Sequence, residues 1–527
     1  MRVLPSLLGL SVLPASAVLA QCGDGPTLTH DVPVLGGNVT VCVGQSDLPG
    51  GMGFLALSDG LGPVSVPGLG EVGLDINSPN SVCLAAPLDS SGQSKQVFAV
   101  PNDTSLVGGT TIYALGVVVD PNRTPSTQFT KTARVDFALS DSYLQVGSLA
   151  TPRALHTATA LGCGPEDDEV RVLIAGGGGG ELLAPEATSS TELYDPLTKT
   201  FSAGPDMSEP RTGHIAVRLD DGRVLIIGGA DTAGVVSQTC ELYDPVTDSF
   251  APAADLSVPR FGHDANLLAD GRVLVTGGTD NFVDVENDLL GTFGAAQITA
   301  ELYDPATDTW SPTANAMTTP RMGHSQALLD DGRVLVAGGI DGAMDVPALG
   351  FQVPTFTANV DIWDPATNSF SLDAPLVPAR AFHELVRLPS GAQLVCGGTI
   401  SVSIFGVPVI AANNNCQSWS AGAWTLGDDL SVTAGFLTAT PDEAGTGALL
   451  HGGFSGDLTT LTPIPIVSHH DGSTLSVLAD LGTNTALGLP TAARGVHSAT
   501  RLYDGSTLIV GGSDAVTALP EAFVYVE

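Results

Sequence analysis

The chain has 527 residues, among them 63 glycines and 36 prolines, with 43% hydrophobic and only 14% charged residues. This composition favours many short strands joined by turns, and it contains too much apolar material for a disordered chain. The formal net charge is −37 at pH 7, from 56 acidic and 19 basic residues. Such a surface repels phosphate backbones, so we expect no nucleic acid partner, and anionic lipid is disfavoured for the same reason.

The first twenty residues have the pattern of a secretory signal peptide. Arg2 precedes an apolar run that ends in small residues, and Val18 and Ala20 suit cleavage before Gln21. No later segment approaches the ~20 apolar residues of a membrane span. We therefore expect an exported protein, secreted to the outside or held in a periplasm, that is not inserted in a membrane and is a monomer.

Residues 22–140 alternate apolar runs such as NVTVCV, KQVFAV and TIYALGVVV with Gly, Pro, Asn and Asp. Short strands separated by turn residues predict a small β-sandwich domain of immunoglobulin-like type. The seven cysteines of the chain contain no CxxC pair, so a zinc site is not expected. In an oxidising compartment we predict the disulfides Cys42–Cys83 and Cys396–Cys416, with at least one thiol left over.

From about residue 142 onward an apolar run that ends in two glycines recurs. The copies are RVLIAGG (171–177), RVLIIGG (223–229), RVLVTGG (272–278), RVLVAGG (333–339), AQLVCGG (392–398), GALLHGG (447–453) and STLIVGG (506–512). The first four are followed by ELYDPLTKTF (192–201), ELYDPVTDSF (241–250), ELYDPATDTW (301–310) and DIWDPATNSF (361–370). Asp-Gly and Asp-Pro turns connect the apolar runs, so each copy predicts four short antiparallel strands.

A Gly pair followed by two aromatic residues with six residues between them is similar to the kelch repeat. The aromatic pairs are Tyr194/Phe201, Tyr243/Phe250, Tyr303/Trp310 and Trp363/Phe370. The resemblance covers 142–527 and implies a kelch-type β-propeller, and the number of copies predicts an all-β fold with seven blades. The last copy stops at EAFVYVE (521–527), so we expect 142–149 to supply the missing outer strand and to close the ring.

All repeats except the sixth begin with an Arg and a His three residues apart. These pairs are Arg153/His156, Arg211/His214, Arg260/His263, Arg321/His324, Arg380/His383 and Arg494/His497. A ring of imidazoles near an axis is a candidate metal site, because neutral His is a common ligand. We favour a structural ring, in which the pairs bind backbone or the acids of the ELYD segments. Ala434 and Leu437 replace the pair in the sixth repeat, either by drift or as an opening of the channel.

Long connections in the third to fifth repeats fall on one face of the predicted propeller. They can pack together as a lid or present an apolar binding rim. The candidate binding-face residues are Leu289, Leu290, Phe293, Leu349, Phe351, Phe356, Ile404, Phe405 and Val407. The cluster SHHDGS (468–473) falls on the opposite face, and we interpret it as a solvated turn.

Galactose oxidase, a seven-bladed copper enzyme with a β-sandwich ahead of its propeller, has a similar layout. That family uses two tyrosine ligands, one of them cross-linked to a cysteine, and two histidines, one directly after a tyrosine. This chain has no Tyr-His pair, and no residue of that copper site carries over. We therefore expect no cofactor, no metal and no catalytic residue. The predicted function is non-catalytic binding of a protein or glycan; the alternative is a copper oxidase of that layout acting on carbohydrate.

Overall fold

The computed structural model describes residues 142–161, 171–181, 184–281, 294–346, 351–404, 407–442, 444–457, 460–480, 493–502 and 505–526, together with nine earlier strands. The earlier strands are β1 (Thr27–His30), β2 (Asn38–Gly44), β3 (Met52–Ser58), β4 (Leu61–Val66), β5 (Gly70–Leu74), β6 (Val82–Pro87), β7 (Gln93–Ala99), β8 (Thr111–Val119) and β9 (Thr127–Asp136). They form two sheets, in the orders β1-β2-β7 and β6-β3-β8-β9, and the pair β4-β5. The sandwich domain at 22–140 stays a prediction, and the predicted signal peptide lies outside the described residues.

The remaining strands form seven four-stranded antiparallel blades and four short hairpins. Strand β10 (Ser142–Ser148) precedes the first blade, which contains β11 (Thr157–Ala160), β12 (Val172–Ala175), the hairpin β13 (Gly178–Glu181) and β14 (Ala184–Ala187), β15 (Thr191–Asp195) and β16 (Thr200–Ala203). The second blade contains β17 (Ile215–Arg218), β18 (Val224–Ile227), β19 (Cys240–Asp244) and β20 (Ser249–Ala253). The third contains β21 (Asp264–Leu267), β22 (Val273–Thr276), β23 (Ala300–Asp304) and β24 (Thr309–Pro312).

The later blades follow the same plan. The fourth contains β25 (Ser325–Leu328), β26 (Val334–Ala337), the hairpin β27 (Ile340–Val346) and β28 (Phe351–Phe356), β29 (Val360–Asp364) and β30 (Ser369–Asp373). The fifth contains β31 (Glu384–Arg387), β32 (Gln393–Cys396), the hairpin β33 (Thr399–Ile404) and β34 (Val407–Ala412), β35 (Cys416–Ser420) and β36 (Ala423–Leu426). The sixth contains β37 (Thr438–Pro441), β38 (Ala448–His451), the hairpin β39 (Phe454–Ser455) and β40 (Thr462–Pro463), β41 (Ile466–His470) and β42 (Leu475–Asp480). The seventh contains β43 (Ser498–Arg501), β44 (Thr507–Val510) and β45 (Glu521–Val526).

The blades form a closed ring around one axis. The innermost strand of each blade contacts the innermost strands of both neighbouring blades; these strands are β11, β17, β21, β25, β31, β37 and β43. In the seventh blade the strand order is β10-β45-β44-β43, with Ser142 opposite Val526 and Leu144 opposite Val524. A strand that precedes the first blade therefore completes the last one. The predicted fold class, an all-β propeller with seven blades, is confirmed.

The interfaces between blades form the apolar core. Second strands such as β18 and β22 are buried along their whole length. Leu225 and Ile227 of the second blade pack with Val273 and Tyr303 of the third blade in one cluster. Burying one such side chain stabilises a fold by about 1.5–3 kcal/mol, so these interfaces hold the ring together.

The two ends of the propeller carry different connections. We name as the loop face the end with the connections from second to third strand and the links between blades. We name as the turn face the end with the turns from first to second strand and from third to fourth strand. Within the described ranges no helix has the length and apolar character to cross a membrane.

Candidate binding face

The repeated arginines lie inside the blades, where each ties the Gly pair to the third strand. Arg260 donates from Nη1 to the carbonyl oxygen of Gly277 at 2.6 Å and from Nη2 to Glu301 Oε1 at 2.8 Å. The same arrangement joins Arg153 to Gly176 and Glu192, Arg211 to Gly228 and Glu241, and Arg321 to Gly338 and Asp361. Each acid comes from the ELYD-type segment of the same blade, and these contacts account for the arginines without a ligand.

The fifth and seventh blades replace the acid with other partners. Arg380 donates to the carbonyl oxygen of Gly397 at 2.9 Å and to Asn415 Oδ1 at 2.7 Å. Arg494 donates to the backbone carbonyl of Glu521 at 2.9 Å. Burial lowers the pKa of Arg380 and of Arg494 to about 10, so both guanidinium groups keep their charge at neutral pH.

Four of the six repeated histidines form a side-chain hydrogen bond to the blade before their own. His214 Nε2 lies 3.0 Å from Thr157 Oγ1, and His156 Nε2 lies 2.8 Å from Ser498 Oγ. His324 contacts Thr276, and His497 contacts Thr438, in the same manner. Burial, aided by the neighbouring arginine charges, lowers the pKa of His156 and His214 to about 3, so these imidazoles are neutral. The contacts spread the rings around the axis rather than gathering them as metal ligands.

The Gly pairs let neighbouring blades approach each other closely. The N–H of Gly177 donates to the carbonyl oxygen of Arg211 in the next blade at 2.8 Å, and Gly512 donates to Arg153 at 2.9 Å across the closure of the ring. A Cβ on Gly176 would lie 2.5 Å from the carbonyl oxygen of Arg211. The φ of Gly176 is +56°, a conformation that favours glycine. Each blade repeats the Gly pair because each interface between blades needs this contact.

An apolar collar surrounds the axis on the loop face, where the inner strands begin. We define the collar as the residue before each repeated His position: Leu155, Gly213, Gly262, Gly323, Phe382, Phe436 and Val496. Their φ angles run from 48° at Val496 to 63° at Gly262. Neighbouring collar residues bond to each other through backbone, as in Phe382 N to Gly323 O at 2.7 Å. Six of the seven neighbouring pairs are bonded in this way, so the collar forms a rim around the mouth of the channel.

The collar has a glycine half and an apolar half, because its glycines occupy three consecutive blades. In the apolar half the rings of Phe382 and Phe436 stack, with centroids 4.5 Å apart and planes at 21°. Leu155, Phe382, Phe436 and Val496 are all partly exposed. A β-branched residue at positive φ, as at Val496, costs on the order of 1–3 kcal/mol and is tolerated where the surroundings impose it. Sequence analysis missed the collar, although aligning the residue before each His would have shown it.

Two carboxyl groups lie in the channel beneath the collar. Asp264 and Glu384 are the first residues of β21 and β31, where the other blades carry Thr, Ile or Ser. The N–H of Gln326 donates to Asp264 Oδ2 at 2.7 Å. Enclosure by the surrounding blades raises the pKa of Asp264 to about 7, and the same enclosure together with the charge of Asp264 raises the pKa of Glu384 to about 8. Glu384 is nevertheless exposed, because it faces the channel rather than the packed interior of a blade.

The long connections are described only in part. Phe356, at the end of β28, is half-buried and packs with Val236, Met322 and Ile340, as a lid would. Phe351, Ile404 and Val407 lie on strands, and their side chains are outside the description. Leu289, Leu290, Phe293, Leu349 and Phe405 lie outside the described residues. A binding role for these nine residues stays a prediction.

The sixth blade has an apolar contact where the others have the Arg-His pair. Ala434 and Leu437 are 3% and 5% exposed and pack in one cluster with Leu430 and Leu450. A Cβ on Gly397 would lie 2.9 Å from Leu437 Cδ2, the place that a His ring takes next to other Gly pairs. The replacement therefore fills the interface between the fifth and sixth blades.

His469 and His470 of SHHDGS are the last two residues of β41, and the turn to β42 follows them on the turn face. His469 Nε2 lies 2.8 Å from Asp442 Oδ2. His470 Nε2 lies 3.0 Å from the carbonyl oxygen of Asp428. Asp471 accepts the N–H groups of Ser473 and Thr474, which closes the turn. These contacts are those of a hydrogen-bonded turn.

One predicted disulfide is confirmed. Cys396 and Cys416 are bonded across β32 and β35, so the disulfide clamps the loop-face connection of the fifth blade. Among the described residues, the His, Cys, Asp and Glu side chains close enough to share a metal are these two cysteines and His470, but the disulfide occupies the sulfurs. Cys42 on β2 and Cys83 on β6 belong to different sheets, and their side chains are outside the description, so that pair stays a prediction. Cys240 is a buried thiol whose pKa burial raises to about 12.

Comparison with known proteins identifies the fold. No family model matches the chain, and no curated protein matches it. A solved structure titled as a novel fungal alcohol oxidase of the AA5 family, in complex with copper, aligns with a TM-score of 0.53 and 15% identity, over 73% of this chain and 75% of its own. The structure of YjhT aligns with a TM-score of 0.46 and 15% identity, over 63% of this chain and 98% of its own. At this identity the likeness concerns the fold alone. The chain has a kelch- and galactose-oxidase-like propeller, as its repeats predicted.

The described tyrosines do not fit a copper site of the galactose-oxidase type. Tyr194, Tyr243 and Tyr303 are 0% exposed and pack inside blades against the second aromatic of the repeat. Tyr143 lies in the core of the last blade, with its hydroxyl 3.2 Å from His451 Nδ1, and Tyr525 is also fully buried. These five side chains belong to blade packing and do not reach the collar or the channel.

Proposed function

We propose that this chain is an exported, non-catalytic binding protein that uses the loop face of its propeller to bind a protein or glycan. The observation that carries the proposal is the contrast between its repeated and its non-repeated residues. The repeated arginines and histidines are buried, the arginines bond within their own blades, and four of the six histidines bond to the blade before them. The non-repeated side chains of the collar, in contrast, are partly exposed around the axis.

Exposed apolar residues on the loop face support the same proposal. Val235 is 61% exposed and Val516 is 64% exposed, and both lie in connections from second to third strand. Met344, on the hairpin strand β27, is 47% exposed. Apolar side chains held at the surface by a rigid scaffold are typical of binding faces, and partly exposed aromatic rings such as Phe436 are common contact residues there.

The second candidate is a copper oxidase acting on carbohydrate, favoured by the fold of the fungal alcohol oxidase. Metal analysis after copper loading, with a peroxide assay on galactose and simple primary alcohols, separates the two functions. We expect copper far below one ion per chain and no peroxide. One copper per chain together with alcohol oxidation would overturn the binding proposal.

A glycan array and a pull-down then identify the partner. The variant Phe436→Ala removes an exposed collar ring, and Val246→Ala is its control because Val246 is 67% exposed on the turn face. We expect Phe436→Ala to weaken binding about tenfold, since a buried aromatic contact is typically worth at least ~1–2 kcal/mol at an interface. Val246→Ala should leave binding unchanged.

A further inference from the structure

The basic residues of the propeller that are not buried lie on the turn face. From residue 142 onward they stand where the first strand of a blade ends or the second begins: Arg171, Arg218, Arg223, Arg272, Arg333, Arg387 and Arg501. The other basic residues are the repeated arginines and Lys199, all of them buried. The loop face therefore presents no Lys or Arg within the described ranges, and the propeller segments outside those ranges contain none.

Acidic residues stand on the loop face in six of the seven blades. In four blades an Asp follows the Gly pair after one residue: Asp231, Asp280, Asp341 and Asp514. The first blade has Glu181 and Glu186 on its hairpin, and the sixth has Asp457. Asp231 Oδ1 accepts the N–H of Ala233 at 2.8 Å, and Asp514 Oδ1 accepts that of Thr517 at 2.8 Å, so loop structure holds both carboxylates in place.

The acidic residues of the loop face surround apolar groups, and both features suit a partner rich in Lys and Arg. The stacked rings of Phe382 and Phe436 lie at the collar, and exposed Val235 and Val516 lie in the connections around it. Aromatic faces attract guanidinium and ammonium groups. Lys and Arg combine such a charged head with a long apolar stem that packs on apolar surface. A neutral glycan would make no use of the loop-face carboxylates, and an anionic partner would be repelled by them.

We infer that the partner of the loop face is a Lys- and Arg-rich segment of another protein. Its cationic heads pair with the loop-face carboxylates, and its side-chain stems pack on the collar and the exposed valines. This inference rests on the proposed binding function and narrows it to one class of ligand.

The test uses fluorescein-labelled peptides of equal length that alternate Gly and Ser with Lys and Arg, with Glu, or with Gln. Fluorescence anisotropy reports binding to the full-length protein. We expect the basic peptide alone to bind, with an affinity that falls about tenfold or more between low and high salt, because salt screens exposed charges. Equal binding of the basic and Gln peptides would overturn the inference.

Two matched triple variants separate the loop face from the overall negative charge. The loop-face triple is Asp231→Asn, Asp280→Asn and Asp514→Asn, and the amide oxygens at 231 and 514 can still accept the loop N–H groups that bond there. The turn-face triple is Asp221→Asn, Asp270→Asn and Asp331→Asn, whose carboxylates also accept a backbone N–H two residues on. We expect the loop-face triple to bind the basic peptide about tenfold more weakly than the wild type does. The turn-face triple should lose less than twofold in affinity. Equal weakening by both would reveal non-specific attraction and contradict the inference.

Circular dichroism verifies that both triples fold, and Asp280→Asn alone replaces the loop-face triple if that variant unfolds. The basic peptide could fail to bind while the array or pull-down yields a glycan or an acidic protein whose binding Phe436→Ala weakens. In that case this inference fails and the proposed function stands. If the protein instead holds one copper and oxidises alcohols, the proposed function itself fails.

Discussion

The turn face and the loop face come from the same repeat, yet they differ in how strictly the repeat is kept. On the turn face the Asp-Gly-Arg turn recurs with the same ion pair, Asp221–Arg223, Asp270–Arg272 and Asp331–Arg333, at 2.6, 2.7 and 2.7 Å. On the loop face a short connection in the second blade gives way to hairpins in the fourth and fifth. The repeated residues are thus kept from blade to blade, and the differences between blades are concentrated at the loop face. That face is where we place binding.

The largest expected effect is the loss of stability when a buried arginine of the repeat is removed. In the fourth blade, Arg321 and Asp361 are both 0% exposed, whereas Arg333 and Asp331 are 40% and 53% exposed. Arg321→Ala leaves Asp361 charged and unpaired in the interior, so we expect a loss of about 3–5 kcal/mol in the free energy of unfolding. Arg333→Ala is the control and should cost about 0–1 kcal/mol. Denaturant unfolding measures both, and equal losses would refute the structural role of the Arg ring.

The next largest expected effect is a loss of stability when the Cys396–Cys416 disulfide at the loop face is removed. The Cys396–Cys416 disulfide closes a loop with a sequence separation of 20. Its removal in Cys396→Ala/Cys416→Ala frees this loop in the unfolded chain, and we expect a loss of about 3 kcal/mol. Cys240→Ala is the control, since Cys240 forms no disulfide. Thermal unfolding without reductant checks the difference; a double variant as stable as the control would mean that the clamp is dispensable.

The smallest expected effect is a pH dependence that comes from the channel. The pKa values of about 7 for Asp264 and about 8 for Glu384 lie above the ordinary value near 4. The folded state therefore binds more protons than the unfolded state between about pH 4 and 8, and its stability falls as pH rises through that window. Glu384→Gln should remove part of this fall and be more stable than the wild type above pH 8.

Melting temperatures from pH 5 to 9 test this expectation. Asp331→Asn is the control, because the hydrogen bond from Arg333 lowers the pKa of Asp331 and its removal brings no gain at alkaline pH. A wild type whose stability is flat across the window would show that the two channel carboxyls do not hold protons.

The repeat explains how much of the fold was predictable. Gly pairs, Asp-Gly turns and spaced aromatics act locally and identically in every blade, so the sequence alone indicated seven blades. Cys396 and Cys416 could be paired because they flank one connection between adjacent strands. The domain at 22–140 has no repeat to support it, and it stays a prediction.

The positions of the collar could have been found by aligning the residue before each His, but the stacking of its rings could not, because it depends on how neighbouring blades stand side by side. Phe382 and Phe436 are 54 positions apart in the numbering of the chain and stack only when the fifth and sixth blades stand side by side. In the second to fourth repeats a Gly stands directly before the repeated His, so in this glycine half of the collar there is no side chain to draw attention to the position. Raised pKa values at Asp264 and Glu384 likewise arise from burial around the channel, which local sequence does not report.

Hydrogen–deuterium exchange with and without the basic peptide tests most directly whether the loop face is the binding face. The account predicts slower exchange at the collar residues 381–383 and 435–437 and at the connections 230–236 and 513–518, with no change at the turns 220–223 and 330–333. Slower exchange at those turns, with the collar and connections unaffected, would contradict it.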